Sequence, residues 1–148
     1  MAGFGFTHKE GGTDMKAYTD IFQSEKLAEI LPLESADMCF VNDGTAIKID
    51  ANSYEIAIQL WGKFFVEIIP CWSLAALLSI LPIVYINNKK EVCGPLHIDI
   101  TDSETPFVLW YVNILHKGNI VEIQTQEYDN MIDACYEMII NLHELKLL

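Results

Sequence analysis

Residues 38–69, MCFVNDGTAIKIDANSYEIAIQLWGKFFVEII, alternate apolar and polar positions over most of their length, and that period of two decides how the chain is read. Met38 to Val41 leads into Asn42-Asp43-Gly44, where Asp-Gly tolerates the positive φ of a hairpin turn; Thr45 to Asp50 follows. In that second segment Ile47 and Ile49 share a face opposite Lys48 and Asp50. After Ala51-Asn52-Ser53, Tyr54, Ile56, Ile58 and Leu60 oppose Glu55 and Gln59, which reads as a third strand, Tyr54 to Trp61. Gly62-Lys63 suits a two-residue turn into Phe64 to Ile69, completing a four-stranded antiparallel meander.

Helices are expected on either side. Upstream, Thr19 or Asp20 is placed to cap a helix with Leu27, Ile30 and Leu31 on one side and Glu25 and Glu29 on the other. Pro32 ends it near Ile30 or Leu31, because the residue before a proline avoids helical geometry. Downstream, Leu74, Leu77, Leu78 and Leu81 recur at spacings of three and four, predicting a buried central helix over about Trp72 to Ile80. An ambiguous strand, Ile83 to Ile86, and a polar loop, Asn87 to Pro95, precede a second meander: Leu96 to Thr101, Phe107 to Leu115 and Ile120 to Gln126. A last helix starts at Asp129 or Asn130, with Met131, Cys135, Met138, Leu142 and Leu145 as its apolar line, widened by Ile132 and Ile139. The expected architecture is α+β: an antiparallel sheet of about seven strands in two meanders, with N-terminal, central and C-terminal helices. Residues 1–14, rich in glycine and without pattern, read as a flexible N-terminal extension to a single domain over 15–148.

One stretch first has to be weighed as a membrane span. Residues 68–86 hold nineteen uncharged residues, followed by Lys89-Lys90. Pro70 and Pro82 leave eleven residues between them. A helix of that length spans about 16 Å against a hydrocarbon core of about 30 Å, so a short buried helix running into a strand accounts for the stretch without a membrane.

Of 148 residues, 51% are apolar and the formal charge is −12, which argues for a folded chain, since disorder needs low hydrophobicity as well as high charge. All nine basic residues are lysine. Without arginine's planar fork, and with a repelling mean field, direct nucleic-acid binding is not expected. The four cysteines, Cys39, Cys71, Cys93 and Cys135, stand far apart and mostly in apolar runs. That placement suits buried reduced thiols in a reducing compartment, and a cytoplasmic location is expected. No cofactor or metal is expected: His8, His97, His116 and His143 are scattered, and the acidic run from Asp99 to Glu104 lacks the central glycine of a calcium loop.

Two features invite function. Cys71 stands near the expected start of the central helix, where amide dipoles lower a thiol pKa, so a cysteine-dependent hydrolase is a remote alternative. The strand Phe107 to Leu115 is apolar on both faces, with Phe107, Leu109 and Tyr111 on one and Val108, Trp110, Val112 and Ile114 on the other. Either helices cover both faces, or the second face is an interface, and Val108, Trp110, Val112 and Ile114 are the candidate contact residues.

Certain segments also resemble a family. Tyr18-Thr19-Asp20-Ile21 with Gln23-Ser24 and Lys26-Leu27, Ser35-Ala36-Asp37-Met38, Pro70-Cys71-Trp72-Ser73-Leu74-Ala75-Ala76-Leu77, Glu127-Tyr128-Asp129-Asn130, Asp133-Ala134-Cys135 and Glu137-Met138-Ile139 are similar to an uncharacterised group of small proteins from gut-bacterial prophages and mobile elements. The resemblance implies intracellular expression in a phage or mobile-element setting, and it carries no activity and no catalytic residue. The expectation from all these readings is a small acidic accessory protein acting through protein–protein contacts, with a protein partner or as a homodimer. A DNA-mimicking inhibitor of a host defence protein is the alternative, in which spaced carboxylates stand for phosphates.

Overall fold

The segment 38–69 folds into three strands and a helix rather than four strands. The computed structural model describes residues 16–64, 66–83, 85–86, 92–93 and 95–148. In it β1 (Met38–Asn42) lies between β2 (Ile47–Asp50) and β3 (Glu67–Cys71), antiparallel to both. The Asp43-Gly44 hairpin forms as its sequence predicts: Gly44 has φ of 92°, and Asp43 accepts from Thr45 N at 2.9 Å and Thr45 Oγ1 at 2.6 Å. Because β2 and β3 both oppose β1, they run in the same direction. Their connection cannot be a tight turn and must cross over β1. Residues 51–66 make that crossing, and they contain α2 (Tyr54–Trp61).

The expected strand Tyr54 to Trp61 is thus corrected to a helix, and the expected Gly62-Lys63 hairpin turn becomes its C-terminal end. The eight residues satisfy both periods. Tyr54, Ala57, Ile58 and Trp61 follow the i, i+3, i+4, i+7 rule as well as Tyr54, Ile56, Ile58 and Leu60 follow alternation. Ser53 resolves the ambiguity, its side chain accepting from Ile56 N at 3.4 Å as an N-cap while Glu55 sits in the first turn. Four helices occur among the described residues, one more than expected.

The other helices lie close to expectation, except that the first ends at Ala28 and not near Ile30 or Leu31. α1 (Ile21–Ala28) begins at Asp20 with a full capping box: Gln23 N donates to Asp20 Oδ1 at 2.8 Å, and Asp20 N donates to Gln23 Oε1 at 3.2 Å. A 3₁₀ turn, Leu33–Ser35, follows Pro32. α3 (Leu74–Ile80) is capped by Ser73, so Trp72 belongs to the turn before the helix. The uncharged stretch is thereby divided between β3, α3 and β4 (Tyr85–Ile86), and no helix among the described residues is long and apolar enough to cross a membrane.

Beyond α3 the strands form separate ladders in place of one continuous sheet. β4 pairs with β5 (Val92–Cys93), within the segment expected to be loop, and β6 (Leu96–Ile100), β7 (Phe107–His116) and β8 (Asn119–Gln124) form the second meander. The expected extension 1–14, and most of the expected loop 87–95, lie outside the described residues. Lys117 and Gly118, with φ of 50° and 81°, close β7 onto β8 in the left-handed geometry a two-residue hairpin demands.

α4 (Met131–Glu144) packs along β7 and supplies much of the main core. Ile132, Cys135, Met138, Ile139 and Leu142 are fully buried there with Leu27, Trp72, Leu77, Leu109 and Tyr111. A smaller cluster, Phe40, Ile69 and Cys71, lies under Tyr18 and Ile21 on one face of the first sheet.

Candidate interaction surface

Hydrogen bonds join several segments that stand far apart in the sequence. Thr19 N donates to Trp72 O at 3.0 Å, and Trp72 N returns a bond to Thr19 Oγ1 at 3.2 Å. Thr19 Oγ1 also lies 2.8 Å from Ser24 Oγ. Trp72 Nε1 donates to Ser35 Oγ at 2.9 Å, and Asp37 accepts from the Ser73 amide at 2.9 Å and from the Ser73 hydroxyl. Asp133 gathers Lys16 at 2.8 Å, Gln23 at 2.7 Å and Asn130 at 2.8 Å. Glu137 accepts from Tyr128 at 2.5 Å and Gln126 N at 3.2 Å. Each of these bonds ends a helix or joins two segments, and a packing role accounts for all of them.

Cys71 belongs to this network. It is the last residue of β3, fully buried, and donates to Thr19 O at 3.4 Å. Burial pushes its thiol above the ordinary 9.0, outweighing the hydrogen bonds from Thr19 and Ser24. The expected position at a helix start is displaced, because Ser73 is the cap and α3 opens at Leu74. A buried thiol held in its neutral form is poorly placed to attack anything. Cys39 and Cys135 are buried as well, and burial pushes them up to about 11 and about 12, Asp50 and Cys71 adding to the shift at Cys39. Among the described residues, no three His, Cys, Asp or Glu side chains gather as a metal site requires.

The proposed contact face on β7 is broken by a bulge. Tyr111 pairs with Ile123, and the next pair is Ile114 with Val121, so β7 spends one more residue than β8 between them. An extra residue inverts the alternation beyond it. Ile114 therefore turns into the core beside Leu109 and Tyr111 and is 1% exposed, which removes it from the candidate face. Val108 is also buried, at 5%. Trp110 and Val112 keep partial exposure, and Trp110 is occupied by its neighbours: His97 stacks on it with centroids 4.3 Å apart, and its Nε1 donates to Asp99 at 2.9 Å.

Exposed apolar side chains concentrate instead on β2 and α2. Ile47, Ile49, Ile56, Ile58, Leu60, Trp61 and Phe64 all stand in this stretch, Leu60 at 51% and Phe64 at 62% exposure. Of the eight residues of α2, only Ala57 is buried. β2 is an outer strand of its sheet, and no described strand pairs with its free edge. Lys48 and Asp50 share the face of Val41, and Trp61 Nε1 reaches Asp50 Oδ2 at 3.4 Å. Together they line a cleft of about 270 Å³ between the strand and the helix, with Val41, Ile49, Val66 and Trp61 as its apolar part. Asp43 at its rim is held down at about 2 by its hydrogen bonds with Thr45 and Ala46, so it carries a full negative charge at neutral pH. Sequence reasoning missed this surface because a strand reading turns Ile56, Ile58 and Leu60 inward. The Ser53 cap was the signal that could have found it.

No protein-family model, no curated protein and no solved structure matches this chain.

Proposed function

We propose that the chain is a non-enzymatic accessory protein that acts through protein contacts, made by the β2 edge and the outward side of α2. The observation that carries the reading is that α2 is apolar almost all round yet buries a single residue, Ala57. A helix of that composition is normally enclosed, and an exposed apolar surface of this kind marks a contact site. The lack of arginine and the charge of −12 support a protein as the contact. Buried reduced thiols at Cys39, Cys71 and Cys135 support an intracellular setting. The segment resemblance supports a phage or mobile-element origin.

A photo-crosslinking amino acid at Leu60, compared with one at the exposed Glu122, tests the reading in expressing cells. Protein adducts from position 60 and few from position 122 are expected. Absence of adducts at 60, or equal yields from both positions, overturns it.

A further inference from the structure

We infer that β2 pairs antiparallel with β2 of a second copy of this chain, about a two-fold axis at Ile49, which makes one six-stranded sheet in the order β3-β1-β2-β2-β1-β3. The inference rests on the contact reading above and names the partner. A two-fold axis normal to the sheet keeps each face on its own side, so only residues of matching face can stand opposite one another. Within Ile47-Lys48-Ile49-Asp50 the axis can fall on any of the four residues, and on Ile47 it sets Lys48 against Ala46 and makes no ion pair. Centring on Lys48 sets lysine against lysine, and centring on Asp50 sets carboxylate against carboxylate. Both place like charges at cross-strand contact, which is destabilising.

Centring on Ile49 removes both conflicts. Lys48 of each copy stands opposite Asp50 of the other, twice over, and Ile49 meets Ile49 on the reverse face. The charge pattern of this short edge is thus complementary to itself in one register. The ion pairs fall beside the cleft, where each incoming lysine stem would lie along Trp61 with its ammonium at the Asp50 carboxylate. Pairing also satisfies the outward backbone groups of β2, which an open edge leaves to water.

Sedimentation equilibrium across the micromolar range, on the full chain, is the test. The wild type is expected to approach twice the chain mass of 16.8 kDa. Lys48→Asp and Asp50→Lys, each alone, set like charges opposite and are expected to raise the dimer Kd about tenfold or more. An equimolar mixture of the two variants restores opposite charges across the axis and is expected to recover the dimer. Asp50 also binds Asn52, so circular dichroism accompanies each variant, and Lys48→Asp alone decides the matter if Asp50→Lys does not fold. A monomeric wild type, a dimer indifferent to Lys48→Asp, or folded variants whose mixture stays monomeric would each overturn the pairing. A monomeric wild type whose position 60 still crosslinks a different protein would sink this inference and leave the contact reading standing.

Discussion

Thr19 and Trp72 clasp one another through their backbones and one hydroxyl: the Thr19 amide donates to the Trp72 carbonyl at 3.0 Å, and the Trp72 amide donates to Thr19 Oγ1 at 3.2 Å. Both residues are fully buried. Thr19→Val keeps the shape and removes the acceptor, leaving the Trp72 amide without that acceptor and depriving Ser24 of its hydroxyl neighbour. The expected loss is about 1–3 kcal/mol in denaturant unfolding, with Thr19→Ser retaining most of the stability. A neutral Thr19→Val would show that the clasp contributes nothing.

Asp133 contributes to the acid limb. Burial alone would raise its carboxyl pKa, but hydrogen bonds from Lys16, Asn130 and Gln23 outweigh burial and hold it below the ordinary 3.8. A carboxyl depressed by folding contributes stability that is complete above its unfolded value and is lost as pH falls through the folded one. Asp133→Asn is therefore expected to lower stability at neutral pH and to flatten its decline below about pH 4, as read from urea midpoints across the acid range. Parallel acid limbs for the two proteins would contradict the assignment.

The buried thiols contribute to the alkaline limb. Cys39 and Cys135, held protonated by burial with values of about 11 and about 12, contribute stability below the ordinary 9.0 that is lost as pH rises through that range. Native labelling at neutral pH should leave Cys39, Cys71 and Cys135 protected, and urea should release all three. Rapid labelling of Cys71 in the folded protein, read by peptide mass, would return the thiol to contention as a nucleophile.

The β7 bulge makes an unequal prediction for residues two apart. Ile114→Ala removes a side chain that is 1% exposed and is expected to cost about 2–5 kcal/mol. Val112→Ala, at a partly exposed site, should cost less than about 1 kcal/mol. Equal losses would mean that the alternation runs through unbroken.

What was legible in the sequence depended on whether one periodicity dominated. α4 carries Met131, Cys135, Met138 and Leu142 at helical spacing behind an Asn130 cap, with Leu145 as its C-cap and no competing alternation, so its start and inward face were both readable. The second meander was readable from its turn residues and from runs of strand-forming side chains between them. Tyr54–Trp61 satisfied two periods at once, and only the Ser53 cap, a single local signal, spoke for the helix that the pairing of β2 and β3 on either side of β1 requires. The bulge after Tyr111 had no turn residue to announce it, so Ile114 was assigned to the wrong face. The contact surface was hidden behind the first of these errors.

Hydroxyl-radical footprinting of Trp61 and Phe64 tests the contact surface most directly, because these exposed rings are free to react unless another protein covers them. Strong oxidation of both in dilute purified chain, with marked protection in expressing cells, is the predicted result. Equal oxidation in both settings would contradict the account.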